Sequence, residues 1–406
     1  MAIDDSLVPQ RRRDSQQWLL DWLVKQTGRV QNFERDERLL PSEVKSYKMI
    51  PRVLYKRARH FEEIAEAAVE RGHSVTAAEL YWRAAEVYRD AQHSIFEDDN
   101  SEKIFLHRQS SSCYDAVVRL ADQDVELVEV PWEGVQIQAR FHFVPGRPVA
   151  PTVLFIPGMD MTKESFPSPL SNPFRARGFH VLSIDGPGQG ISNLRKIRVS
   201  HDNYERAASA AIDYLAARPE VDPDRIVVVG SSFGSHWGQR VAALDPRVRA
   251  LATNHAVYGD KRLIFEESSP RFKQVFMYMA GLDEDEFDAM AARLTTQGYG
   301  GRITCPALMV MGEYDPLCYL EAGLSLFDEL SGPKELWVLE NEFHRVAGSD
   351  CLGGMDAYPF MADWLADALS GRIASDHRRL VVLPQRDGAG PYQAPVDSPY
   401  IPDRYA

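Results

Sequence analysis

Apolar residues change their spacing near residue 123. Upstream, from about Gln16 to Arg119, they recur at helical intervals. In "TAAELYWRAAEVYRDA" Leu80, Ala84, Val87 and Ala91 fall on one stripe, and Tyr81, Ala85 and Tyr88 on a second that widens it. A face that wide must be buried against something, so the pattern predicts an all-helical cap domain over residues 16–122, behind a flexible polar tail at 1–15. The hairpin around Gly72 resembles one tetratricopeptide-type unit, but no second copy recurs at a fixed period, which argues against a solenoid.

Downstream the period shortens to two. "VQIQARFHF" sets Val135, Ile137, Ala139, Phe141 and Phe143 against Gln136, Gln138, Arg140 and His142, the pattern of a half-exposed antiparallel strand. Short apolar runs follow: "TVLFIPG", "HVLSIDG", "RIVVVG", "ALATNHA", "ALMVMG" and "LWVLEN". Helical segments such as "YERAASAAIDYLAAR" separate most of them. Strand and helix in alternation predict an α/β core over residues 123–374, a mostly parallel sheet with helices on both faces. The interval between "ALATNHA" and "ALMVMG" exceeds a simple crossover, and its helical stretches predict a lid insertion at about 258–303. The end of the chain, 375–406, is rich in proline and glycine and reads as an extended tail.

One junction in this pattern carries chemistry. Gly230-Ser231-Ser232-Phe233-Gly234 lies between the buried run "RIVVV" and the helical "SHWGQRVAAL", the strand-turn-helix setting in which G-x-S-x-G lifts a serine into an active site. A serine needs a base, and the base an orienting acid, from the ends of later strands. "ALMVMGEYDP" offers Asp315, with Glu313 and the more distant Asp260 as competitors, and "ELWVLENEFHRVAG" offers His344. His60, His73, His93, His107 and His236 sit in helical segments and His142 and His180 in strands, whereas His255 at the end of "ALATNHA" is a candidate for the pocket with Asp160 and Tyr258. The oxyanion donors expected are the amides of Phe233, just after the serine, and of Met159, after the Pro157-Gly158 turn.

Other chemistries fail on spacing. "IDGPGQGIS" gives G-x-G-x-G, not the dinucleotide fingerprint, because Ile191 stands where the third small residue belongs. With no P-loop and no H-E-x-x-H, no cofactor or metal is expected. A net charge of −13 over 406 residues opposes binding to nucleic acid or an anionic membrane. Four cysteines without paired spacing, and no signal-like or membrane-length apolar run, fit a soluble cytoplasmic protein.

Together the D-G-P-G-Q-G-I-S loop, the serine turn and the two strand-end residues resemble the α/β-hydrolase superfamily over about residues 124–372. With the helical N-terminal domain, "IPGMDMTKESF", "IDGPGQG" and "GSSFGS" are similar to the 2,6-dihydroxypseudooxynicotine hydrolase group, related to fermentation-respiration switch proteins and fungal polyketide-shortening hydrolases. The resemblance implies a serine hydrolase with Ser232, Asp315 and His344 as its triad and a pocket between cap and core. It also implies an eight-stranded sheet, and action on a carbonyl compound, an ester or a ketone cleaved at the adjacent carbon–carbon bond. A pocket glutamate of the group would fall at Glu266 or Glu267 in "FEESSPRF". Thr162-Lys163-Glu164-Ser165 reads as a helix cap, and the aromatics Trp82, Tyr88, Phe272, Phe276, Tyr278 and Phe287 suggest an apolar or aromatic substrate. The tail and the resemblance raise a homodimer as an expectation. A carboxylesterase of apolar esters, an acyltransferase or cyclase that excludes water, and a ligand receptor on the same scaffold are the alternatives; product analysis with an added nucleophile and a serine-directed phosphonate separate them.

Overall fold

The structure, a computed structural model, describes residues 41–385 except 42, 45, 256, 260, 269 and 345–347. The expected tail at 1–15, the helical pattern of 16–40, the end from 386 and the competing acid Asp260 lie outside the described residues.

The helical layer consists of α1 (Ile50–Glu70), α2 (Ser74–His93) and α3 (Ser101–Leu120). Pro51 sits in the first turn of α1, where a missing N–H costs nothing, and Asn100 caps α3 by accepting from the Lys103 amide at 2.9 Å. Ile50, Leu54 and Ala58 pack on Ala84, Ala85, Tyr88 and Ala91 of α2 and on Leu106 and Tyr114 of α3. Most of the two predicted stripes is therefore the core of this layer. Val87 packs against this core and also borders the cavity described below.

The core is a single sheet. Its strands are β1 (Val125–Trp132), β2 (Val135–His142), β3 (Ala150–Ile156), β4 (His180–Ile184), β5 (Val221–Ser231), β6 (Leu251–Asn254), β7 (Ala307–Gly312), β8 (Lys334–Leu339) and β9 (Arg378–Leu383). They lie in the order β1-β2-β4-β3-β5-β6-β7-β8-β9, with β2 antiparallel to both neighbours and the rest parallel. Between them run α4 (Gly190–Leu194), α5 (Asn203–Ala216), α6 (Phe233–Leu244), α7 (Pro270–Ala280), α8 (Glu284–Ala291), α9 (Leu320–Glu329) and α10 (Ala357–Leu369). One face of the sheet buries Tyr204, Phe233, Trp237, Phe276 and Phe287 under α5, α6 and the lid, and the other buries Phe155, Phe174 and Trp364 under α10.

Two features differ from expectation. The sheet has nine strands, not eight: "RRLVVL" within the expected tail pairs with β8 from Lys334↔Arg378 to Leu339↔Leu383. Its mixed exposure is that of an edge strand. The second is β2, where Gln136 and Gln138 meet water as expected but Arg140 and His142 are covered by α3. His142 Nε2 shares a hydrogen bond with Tyr114 Oη at 2.9 Å, and Arg140 pairs with Asp115 at 2.6 Å. Burial, then Arg175 and Arg140, push the His142 pKa down to about 3. Among the described residues no helix is long and apolar enough to cross a membrane.

Candidate active site

Ser232 joins the end of β5 to the start of α6 at φ 53°, ψ −123°, a left-handed conformation that costs a non-glycine residue about 1–3 kcal/mol and is held by its surroundings. Its N–H donates to Asn254 O at 2.9 Å, and its carbonyl accepts from the Ser235 amide at 2.9 Å. The flanking glycines are required by space. A Cβ at Gly230 would overlap the Gly234 carbonyl, and one at Gly234 would overlap the Ile156 carbonyl of β3. The turn is thus wedged between two strands, and the serine stands out from it.

His344 and Asp315 come from the loops after β8 and β7. Ser232 Oγ lies 2.9 Å from His344 Nε2, and His344 Nδ1 lies 2.8 Å from Asp315 Oδ2. The other oxygen of Asp315 accepts from the Leu317 amide at 2.8 Å, and the carboxylate is only 2% exposed. The competing acid Glu313 is turned away, accepting from the Asn341 amide at 3.0 Å. The arrangement can deprotonate the hydroxyl while the imidazolium that forms stays paired.

The amides of Phe233 and Met159 have no hydrogen-bond partner among the described residues. Phe233 opens α6, where the first N–H groups have no intrahelical acceptor. Met159 follows Gly158, and a Cβ built on Gly158 would stand 3.0 Å from Ser232 Cβ, so this loop abuts the serine.

A cavity of about 400 Å³ opens over these groups, bordered by Ser232, His344, Asp160, His255, Asn254 and Tyr358 from the core. Glu86, Val87, Arg89 and Asp90 of α2 cover it. A separate narrow lobe of about 30 Å³ shares Asp160 and Met161 with this cavity and is bordered by Met159, Gln189, Tyr278 and Lys103. Lys103 donates to the Gln92 and Ile95 carbonyls, and burial, then Arg271, push its pKa down to about 7.

Of the pocket candidates, Asp160 and His255 border this cavity; Tyr258, Glu266 and Glu267 do not. They border a separate cavity of about 750 Å³ between the Leu263–Glu267 turn, α8 and α9. Tyr258 Oη bonds Thr253 Oγ1, and Glu266 pairs with Lys273 at 3.4 Å. The aromatic residues expected in the pocket are elsewhere too: Tyr88, Phe276 and Phe287 are in hydrophobic cores, and only Tyr278 reaches the lobe. Among the described residues no group of three His, Cys, Asp or Glu side chains is placed to hold a metal ion.

Thr162-Lys163-Glu164-Ser165 does not cap a helix; it carries a buried ion network. Lys163 Nζ lies 3.0 Å from Asp185 and 2.8 Å from Glu164, and its amide donates to Asp185 at 2.7 Å. Glu164 pairs with Arg140 at 3.3 Å and accepts from Ser111 of α3 at 3.2 Å. Burial opposes the Glu164 charge, but Lys163 and Arg140 outweigh it and hold the carboxyl well below the usual carboxylate range. Sequence reasoning missed this network, together with Tyr358, whose hydroxyl donates to Ser231 Oγ at 2.9 Å.

A parallel sheet with a serine on its central strand-helix turn, and acid and base on later loops, defines an α/β-hydrolase. A profile of the alpha/beta hydrolase family matches residues 153–397, and the chain belongs to that family. Its relatives are named as hydrolases. The chain is 28% identical over 319 residues to the 2,6-dihydropseudooxynicotine hydrolase of Paenarthrobacter nicotinovorans, covering 77% of this chain and 82% of that one. An alpha/beta hydrolase of Xenoacremonium sinensis is 27% identical over 255 residues, covering 59% of this chain and 58% of that one. The crystal structure of the 2,6-dihydroxy-pseudo-oxynicotine hydrolase superposes with a TM-score of 0.70 at 24% identity over 84% of this chain and 94% of that one, so the helical layer as well as the sheet is shared.

Proposed function

We propose that this hydrolase is a serine enzyme that cleaves a small carbonyl substrate through an acyl-enzyme. The carrying observation is the continuous Ser232–His344–Asp315 hydrogen-bond chain at the strained turn, opening into the covered cavity. His344 Nε2 takes the proton as Ser232 Oγ attacks the carbonyl carbon, and Asp315 stabilises the imidazolium. The Phe233 and Met159 amides receive the oxyanion. When the tetrahedral adduct collapses, His344 returns the proton to the leaving group: an alcohol from an ester, or the carbon of an enolate from a 1,3-diketone. Water, deprotonated by His344, then adds to the acyl-enzyme and releases a carboxylic acid.

The resemblance and the relative named for 2,6-dihydropseudooxynicotine favour a ketone cleaved at the adjacent carbon–carbon bond. The cavity lining supports a substrate with hydrogen-bonding groups over an apolar ester, since Glu86, Asp90, Asp160, Asn254 and His255 outnumber Val87, Met161 and Phe166. The test is a paired assay of wild type and Ser232→Ala on p-nitrophenyl esters and aryl 1,3-diketones, with products identified by mass. Serine-dependent conversion of a diketone to an acid and a ketone supports the reading; ester turnover alone makes the enzyme a carboxylesterase, and activity surviving in Ser232→Ala removes the serine mechanism. A homodimer and a cytoplasmic location belong to the same proposal and are checked by light scattering and cell fractionation.

A further inference from the structure

The glycine-rich "IDGPGQG" loop has a use unrelated to phosphate. Between its second and third glycines stands Gln189, 2% exposed, with both ends of its amide engaged. Its Nε2 donates to the Pro157 carbonyl at 3.1 Å and the Gly158 carbonyl at 2.6 Å. Its Oε1 accepts from Tyr204 Oη at 2.6 Å and the Gly186 amide at 3.2 Å. The Gly186 N–H and the two carbonyls fix which end of the amide faces which way, because a flipped amide would set its NH₂ against the Gly186 N–H and its oxygen against the Pro157 and Gly158 carbonyls. Tyr204 is itself immobilised, its ring stacked on Trp237 at 3.9 Å. A Cβ at Gly186 would overlap the Tyr204 ring, so glycine there is what lets the phenol reach Gln189.

The consequence runs through one peptide plane. The Gly158–Met159 peptide is trans, so the Met159 N–H points opposite to the Gly158 carbonyl. That carbonyl is held by two donors, Gln189 Nε2 and the Met161 amide at 3.1 Å, which uses both of its lone pairs. Gln189 therefore pulls the carbonyl to its own side of the loop and leaves the Met159 N–H on the opposite side. We propose that Gln189 is the positioning residue for the oxyanion hole: it touches no substrate, and it sets the direction of the Met159 amide through the carbonyls of Pro157 and Gly158. The inference rests on the serine-hydrolase reading above. It gives the Gln of the glycine loop a role in transition-state stabilisation, not in substrate binding.

The test compares wild type, Gln189→Leu, Gln189→Glu and Tyr204→Phe in the full-length protein on the best substrate of the paired assay. A trifluoromethyl ketone, which Ser232 converts to a tetrahedral oxyanion, serves as the second probe. Gln189→Leu is expected to lower kcat about 100-fold, as loss of one oxyanion donor does, with KM changed less than about threefold and trifluoromethyl ketone affinity falling in step with kcat. Gln189→Glu faces two carbonyls with a carboxylate; it loses at least as much and regains part of its kcat as pH falls and the acid becomes a donor. Should Gln189→Leu not fold, Tyr204→Phe decides, with the same signature at about a threefold to tenfold loss. Unchanged kcat in Gln189→Leu, or a KM effect without a kcat effect, overturns the inference while Ser232 labelling by a phosphonate leaves the mechanism standing. Failure of Ser232 to label in wild type overturns the mechanism and the inference with it.

Discussion

His255 holds the main chain of His344. The Nδ1 of His255 lies 2.8 Å from the His344 carbonyl oxygen. Its tautomer follows from its neighbour: the His255 amide donates to Asn254 Oδ1, which turns the Asn254 NH₂ toward His255 Nε2 at 3.0 Å. Nε2 accepts, so Nδ1 carries the proton and donates. The Asn254 carbonyl also accepts from the Ser232 amide, so a single strand end braces Ser232 and His344 together. His255→Ala is expected to lower kcat/KM about threefold to tenfold, the worth of one net hydrogen bond, with the fold intact by circular dichroism. A wild-type rate in that variant would show that His344 is oriented without it.

Asp315→Asn preserves shape but presents an NH₂ to His344 Nδ1, which favours the wrong tautomer. A fall in kcat of about 10³ to 10⁴ is expected, with KM nearly unchanged, by analogy with triads in general. Steady-state kinetics on a folded variant checks it; a loss below about tenfold would point to another acid.

Gly234 and Gly301 make a contrasting pair. A methyl at 234 meets the Ile156 carbonyl, whereas one at 301 has its nearest neighbour, the Glu329 carbonyl, at 3.9 Å. Gly234→Ala should cost about 3 kcal/mol or prevent folding, and Gly301→Ala less than about 0.5 kcal/mol. Urea midpoints of the two variants against wild type provide the comparison.

Burial gives the fold a sensitivity to acid. His236 is fully buried beneath the serine turn, and neither ring nitrogen has a partner among the described residues. Burial, then Lys261 and Arg240, hold its pKa well below 6.5. The unfolded chain gains a proton below about pH 6.5 that the folded chain refuses, so this histidine costs nothing above that pH and about 1.4 kcal/mol for each pH unit below it. His236→Leu should flatten the decline in unfolding free energy between pH 6.5 and 5 by one proton. His107, pushed down to about 4 by burial and then Lys163, and His142 keep the remainder of the slope. An unchanged slope would mean that His236 does not stay neutral in the fold.

The ion network predicts a large asymmetry between buried and exposed charge. Arg140→Met takes from Glu164, which is 3% exposed, one of its two cations and leaves it Lys163, and should cost about 1.5–3 kcal/mol, the worth of a buried charged hydrogen bond. Lys196 pairs with Asp99 at the surface at 2.7 Å, and Lys196→Met should leave stability nearly unchanged. Equal losses by chemical denaturation would contradict the network.

The residues legible in the sequence are those whose role is written locally. Buried parallel strands are continuous apolar runs, so "RIVVVG", "ALMVMG" and "LWVLEN" mark their own ends, and the residues just past them, Ser232, Asp315 and His344, meet in one hydrogen-bonded chain. Roles created by tertiary packing leave no such mark. Nothing in "VQIQARFHF" says that α3 will cover Arg140 and His142, and Gln189 looks like a loop residue until Pro157, Gly158 and Tyr204 surround it. The β9 strand escaped for a compositional reason: its six residues adjoin a proline- and glycine-rich run that colours the whole segment. Glu266 and Glu267 rested on a loose match to the resemblance, and the Leu263–Glu267 turn carries them to the other cavity.

Arg140 sits on β2 and Lys163 and Glu164 on the loop that continues from Met159, and these three buried charges are tied to α3 through Ser111 and the more exposed Asp115. The change of hydrophobic period near residue 123 is therefore a border between kinds of secondary structure and not between units that melt apart. Detaching the helical layer would expose the charges that anchor the loop beside the serine, so the layer covers the cavity as a fixed roof and not as a hinged one. Calorimetry should record one cooperative transition for cap and core, and a chain begun at the sheet should lack a formed site.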